Sequence, residues 1–102
     1  MYMSSWYNEK RDWIVYLLSK NENRYVGITS RSMQNRLRRH KKSAQNPAID
    51  SLLHNKMRRL GLDGWKMRKL TSLHGDYYEA RAIERFYMYL SNLNETLRER
   101  PI

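Results

Sequence analysis

Trp13-Ile14-Val15-Tyr16-Leu17-Leu18 and Arg24-Tyr25-Val26-Gly27-Ile28-Thr29 are two β-branched and aromatic runs parted by Lys20-Asn21-Glu22-Asn23. Each run has the composition of a strand and the break has that of a loop, so the pattern predicts a β-hairpin. Arg31-Ser32-Met33-Gln34-Asn35-Arg36-Leu37-Arg38-Arg39-His40 follows at once. Ser30 or Ser32 offers an N-cap there for a helix running to about Ser43, ahead of the break at Asn46-Pro47. The fold is decided in these thirty residues or so, because a tyrosine on each strand of one hairpin is followed directly by a helix rich in arginine.

Outward from this stretch, Ile49, Leu52, Leu53 and Met57 stand close to helical spacing and predict a second helix over about Ala48 to Leu60, ended by Gly61. Asp63-Gly64 turns the chain into a short strand, Trp65 to Leu70, with His74-Gly75 as the next punctuation. The last helix opens at Asp76 and runs to about Leu90, and Asp76 and Glu79 stand in the spacing of a capping box. Residues 1–12 are polar with three aromatics and no clear period. They read as an N-terminal arm or an extra edge element, with residues 13–102 forming one domain. The order β-β-α-α-β-α predicts an α+β fold: a small three-stranded antiparallel sheet flanked by helices.

Composition narrows the partners. At 102 residues and 40% hydrophobic the chain is one domain with a modest core. Twenty Lys and Arg against ten Asp and Glu give a net charge of +10, which calls for an anionic partner, nucleic acid first. Solubilising surface charge is the plainer reading of that excess. No apolar run has the length of a membrane span, and the N-terminus lacks the pattern of a secretory signal. Cysteine is absent, which excludes disulfides, thiolate zinc sites and cysteine nucleophiles, and fits a reducing, cytoplasmic setting.

Three polar side chains fall where packing prefers apolar ones. Met33, Arg36, Leu37 and His40 lie at i, i+3, i+4 and i+7, which is one helix face. An arginine on such a stripe needs an anionic or polar neighbour; otherwise Arg36 snorkels at the edge and His40 caps the helix end. In the last helix Ala80, Ile83, Tyr87 and Leu90 form the apolar stripe, and Glu84 falls inside it. A carboxylate there is costly unless it is ion-paired or binds a cation. Glu79 has a sufficient structural role in the capping box. Tyr16 and Tyr25 are ordinary strand residues on their own, and Gly27 marks a place where another backbone or a ligand comes close.

Taken together and in order, Ile14-Val15-Tyr16, Tyr25-Val26-Gly27, Arg36 with His40 four residues later, and Glu84 within Ile83-Glu84-Arg85-Phe86-Tyr87 resemble the GIY-YIG endonuclease family over residues 13 to about 95. The family's leading glycine is Ile14 here, and its late asparagine corresponds to Asn94 or, less closely, Asn92. The resemblance implies a metal-dependent DNA endonuclease or nickase that leaves 5′-phosphate and 3′-hydroxyl ends. It also implies one Mg²⁺ or Mn²⁺ on Glu84, Arg36 on the scissile phosphate, and Tyr25 as the group that deprotonates water. Tyr16 would support Tyr25, His40 would relay a proton or position the tyrosine, and Gly27 and Asn94 would play structural parts. A phenol with a reference pKa of about 10 is a poor base unless nearby positive charge lowers that value. Arg38, Arg39, Lys41 and Lys42 on the first helix, with Lys56, Arg58 and Arg59 on the second, form a basic face suited to tracking a DNA backbone. No separate DNA-binding domain is visible in the sequence, which implies either low sequence specificity or targeting by a partner protein or a second copy of the chain. The rival reading is a non-catalytic nucleic-acid-binding module whose tyrosines stack on bases. Glu84 separates the two, because a pure binder gains nothing from an acid beside the phosphate.

Overall fold

In the computed structural model residues 5–99 are described, with side chains over 6–92. A short 3-10 turn, Ser5–Tyr7, is followed by β1 (Arg11–Lys20), β2 (Asn23–Thr29), α1 (Met33–Ala44), α2 (Leu52–Leu60), β3 (Lys66–Gly75) and α3 (Tyr77–Glu99). The three strands form one antiparallel sheet in the order β2-β1-β3, so the architecture is the expected α+β arrangement.

The hairpin is tighter than its composition suggested. Lys20 pairs with Asn23, which leaves Asn21 and Glu22 as a two-residue turn, and Asn21 takes a positive φ of 54°. Asparagine tolerates that conformation better than most residues. Tyr16 lies opposite Gly27, and Tyr25 opposite Leu18, so both tyrosines rise from the same face of the sheet.

The central strand is buried on both faces. Trp13 and Val15 point one way, while Tyr16 and Leu18 point the other, and all four are almost inaccessible. Tyr16 and Leu18 form the main core with Ala44 of α1, Met57 of α2 and Trp65. Helix α3 packs over the other face, with Ala80 fully buried. The result is three layers, with α1 and α2 on one side of the sheet and α3 on the other. Between Val15 and Tyr16 the register with β3 shifts by one residue, a bulge directly before the first tyrosine.

Several boundaries differ from the sequence reading. Arg11 and Asp12, taken with the N-terminal arm, form the start of β1, where Arg11 and Asp12 pair with Gly75 and His74. Helix α2 begins at Leu52 rather than Ala48, because Ser51 is its N-cap and its hydroxyl accepts from the His54 amide at 3.1 Å. Strand β3 runs through His74 to Gly75, since β1 is long enough to pair all of it. Of the two candidate caps for α1, Ser32 serves, accepting from the Asn35 amide. Helix α3 continues past Leu90 to Glu99. It opens on the expected capping box: Glu79 Oε1 accepts from the Asp76 amide and Asp76 Oδ1 from the Glu79 amide.

Candidate active site

Gly27 explains how the two strands bring their tyrosines together. A Cβ on this residue would lie 2.4 Å from Tyr16 Oη and 2.9 Å from Tyr25 Cε1. What comes close to the glycine is therefore the Tyr16 phenol. The Tyr16 ring crosses the strand at this gap and reaches α1.

There it meets the two residues singled out on the helix face. Tyr16 Oη is 2.7 Å from His40 Nε2 and accepts a 3.3 Å bond from Arg36 Nε. His40 is buried, and so is the whole of Tyr16. Tyr25 joins through ring contacts, with its centroid 5.7 Å from His40 and 6.4 Å from Tyr16. His40 does not cap the helix end; its Nδ1 lies 3.2 Å from Nε2 of His54 on α2. His54 Nδ1 in turn lies 2.6 Å from the Ser51 hydroxyl.

On the other side of the edge strand, Glu84 occupies the apolar stripe of α3 and is only 5% exposed. Its Oε1 accepts from Arg81 at 2.5 Å, one helical turn earlier. A polar cleft of about 360 Å³ joins the two sides, lined by Tyr25 and Thr29 of β2, Arg36 and Arg39 of α1, and Arg81 and Glu84 of α3. Trp6 and Tyr77 close one end of it. Among the described lining residues Glu84 is the one acid, surrounded by arginines.

The electrostatics follow from burial. The Tyr16 hydroxyl is pushed up to about 12, because burial outweighs the hydrogen bond and charge of Arg36. Tyr25 is also raised, by burial and then by the Glu84 charge, against Arg36 and Arg81. At both phenols burial thus outweighs the charge of the neighbouring arginines. His40 is pushed down to about 4 by burial, then by Arg36 and His54. His54 is lowered by burial, Arg36 and Arg58. Burial raises Glu84, while Arg81, Arg85 and Arg36 pull it back. Arg36 acts on all five groups and is the electrostatic centre of the site.

The remaining basic residues divide. Arg38, Arg39, Lys42 and Arg59 are exposed, and Lys41 is half-buried. Lys56 is half-buried and lines a second cavity behind Tyr25. Arg58 is structural: its guanidinium donates to the carbonyls of Ala44, Asn46 and Ile49 and to the Asn55 side chain, tying down the α1–α2 connection. Asn94 lies outside the residues whose side chains are described, and Asn92 is exposed on α3. The sequence reading missed Arg81 and His54. Arg81 was marked by its i, i+3 spacing to Glu84, and His54 by following a capping serine at the same spacing.

The model of the GIY-YIG catalytic domain matches residues 12–96. The chain belongs to the GIY-YIG family. The match spans both tyrosine triplets, α1, β3 and the Glu84 turn of α3, so this is a nuclease domain over most of its length. No curated protein and no solved structure gives a significant match. Among the described residues, no helix is long and apolar enough to cross a membrane.

Proposed function

We propose that this GIY-YIG domain is a divalent-metal-dependent DNA endonuclease or nickase that leaves 5′-phosphate and 3′-hydroxyl ends. One observation carries the reading: a buried carboxylate, Glu84 of α3, shares a polar cleft with Tyr25 of β2 and Arg36 of α1. Among the described residues no group of three or more histidines and acids gathers to enclose a cation. A single carboxylate fits a hard ion that keeps most of its water and completes its shell on a substrate phosphate. When bound at Glu84, Mg²⁺ or Mn²⁺ supplies positive charge to the phosphate and makes water more acidic.

The chain's own residues do the rest. Arg36 presents its remaining guanidinium donors to the scissile phosphate, held in place through Nε by the Tyr16 oxygen. Tyr25 faces the cleft and meets the attacking water. Tyr16 stands behind it, its ring centroid 6.4 Å from that of Tyr25 and its hydroxyl 2.7 Å from His40 Nε2, which can take its proton. Arg39 and Arg31 line the cleft's outer wall, and the exposed Arg38, Lys42 and Arg59 extend the phosphate-tracking surface. With one site per chain, a double-strand cut needs a second copy, successive nicks or a rotated engagement of the DNA, and a targeting partner would bear on where the cut falls.

The reading is tested by incubating the purified chain with supercoiled, linear, branched and single-stranded DNA. Nicking in Mg²⁺ or Mn²⁺ and silence in chelator are expected. Binding without cleavage under every metal condition would instead favour the non-catalytic module.

A further inference from the structure

Tyr16, His40, His54 and Ser51 form an unbroken chain of hydrogen-bonding atoms, with steps of 2.7, 3.2 and 2.6 Å. Counting donors outward from the buried phenol assigns a direction to each step. Arg36 Nε is a donor, so the Tyr16 oxygen accepts from it and the single phenol proton needs another acceptor. His40 Nε2 is that acceptor. Burial and Arg36 keep His40 neutral near pH 7, so its one proton stands on Nδ1, facing His54 Nε2. His54 therefore carries its proton on Nδ1 and donates to the Ser51 hydroxyl, which also accepts the His54 amide. The Ser51 proton is left free to point outward.

The far end of this chain reaches a second cavity, distinct from the DNA cleft. It measures about 410 Å³ and is lined by His40, Ser51, Leu52, Leu53, His54 and Trp65, among others. Ser51 and His54 are both half-exposed, whereas Tyr16 and His40 are buried. The chain thus leads from a phenol without solvent contact to a face that has it.

We propose that Tyr16–His40–His54–Ser51 is a directional proton relay, in which His54 is the positioning residue that sets the His40 tautomer and passes the proton out through the second cavity. The proposal rests on the nuclease reading of the cleft. The step balances atom by atom. The Tyr16 O–H bond breaks as its proton joins His40 Nε2; the His40 Nδ1 proton moves to His54 Nε2. The His54 Nδ1 proton moves to Ser51 Oγ, and the original Ser51 proton passes to bulk water. Both imidazoles end neutral with their protons on Nε2, Ser51 again holds one proton, and the Tyr16 phenolate faces two donors, Arg36 Nε and His40 Nε2. No imidazolium is left in the core, which matters because burial and Arg36 oppose one there.

The test has two arms. The first needs no activity: ¹⁵N spectra of the folded wild-type protein report the imidazole tautomers, with Nδ1–H expected on both His40 and His54. Nε2–H on His40 would overturn the relay direction outright. The second arm is single-turnover cleavage after wild-type nicking has been established, so that loss of the nuclease reading is seen separately. His54→Gln keeps an acceptor for His40 Nδ1–H but cannot pass a proton through. It should retain the His40 tautomer, melting temperature and DNA affinity while cleaving about 10- to 100-fold more slowly. His54→Ala should be similarly slow and regain rate with added imidazole, which enters the enlarged cavity. Wild-type rates in His54→Gln, or a slow His54→Ala that imidazole leaves unchanged, would overturn the proposal.

Discussion

The two cavities on either side of Arg36 and Tyr25 are close in volume and opposite in character. The cleft toward α3 holds a buried carboxylate among four arginines, Arg31, Arg36, Arg39 and Arg81. The cavity toward α2 is bounded largely by Leu52, Leu53, Trp65 and Met88, with two histidines and a serine along one wall. Both are lined by basic residues, Arg24, Arg36 and Lys56 in the second, but only the first sets an acid among them. The first suits an anionic backbone and a cation, whose interactions gain from fixed charges in a partly desolvated site. The second suits neutral imidazoles, which need an apolar wall to stay neutral beside Arg36. Arg36 lines both spaces, so under the proposed mechanism one side chain would serve phosphate binding and proton handling together.

The sharpest break of this comparison is at Glu84. Glu84→Gln keeps the shape and removes the charge, so cleavage should fall roughly 1000-fold or more while DNA binding stays near that of the parent. Because burial opposes the ionised form, the same variant should melt at an equal or higher temperature. A variant that still cleaves would show that the acid is only the ion-pair partner of Arg81. Next in size is Gly27→Ala, which places a methyl 2.4 Å from Tyr16 Oη. The phenol must swing off both Arg36 and His40, and cleavage should drop about 100-fold with the fold retained by circular dichroism. Unaltered cleavage would mean that the Tyr16 hydroxyl has no part in the reaction.

How far the sequence carried depends on the range of the interaction. Strands, helices and the capping box were legible, because period-2 runs, Asp76 with Glu79, and Gly61 act within a few residues. The start of α2 was misplaced because Ile49 continues the apolar spacing upstream, whereas the cap is set two residues later by the Ser51 hydroxyl. Arg36, His40 and Glu84 stood out as polar residues on apolar faces, and all three prove buried or half-buried. Their partners did not stand out. Which tyrosine His40 touches depends on the gap at Gly27, and whether His54 meets His40 depends on how α1 packs on α2. Arg58 looked like one more phosphate contact because its carbonyl partners lie in an irregular loop with no pattern to read.

The histidine side of the comparison predicts a pH dependence of stability. His40 stays neutral in the folded protein down to about pH 4, whereas its unfolded reference value is 6.5. Between those values the unfolded chain binds more protons, so stability falls as pH falls and is flat in this group above 6.5. The loss should approach roughly 3 kcal/mol by pH 4. Denaturant titrations from pH 7.5 to 4 measure it, and His40→Gln should flatten the slope. An unchanged slope in that variant would place the acid sensitivity elsewhere.

The smallest effects separate two arginines that the sequence treats alike. Arg58 spends its donors on the carbonyls of Ala44, Asn46 and Ile49, so Arg58→Ala leaves those groups without their charged partner. The cost should be about 2 kcal/mol, seen as a melting temperature lower by about 8–16 °C, with the affinity of the folded fraction for DNA little changed. Arg39 is exposed on the wall of the cleft and holds no such position. Arg39→Ala should leave stability within about 0.5 kcal/mol while weakening DNA binding a few-fold and lowering the salt slope by about one. If the two profiles were exchanged, the basic surface would have to be redrawn around α2, and the division between a charged cleft and an apolar cavity would lose its main consequence for DNA binding.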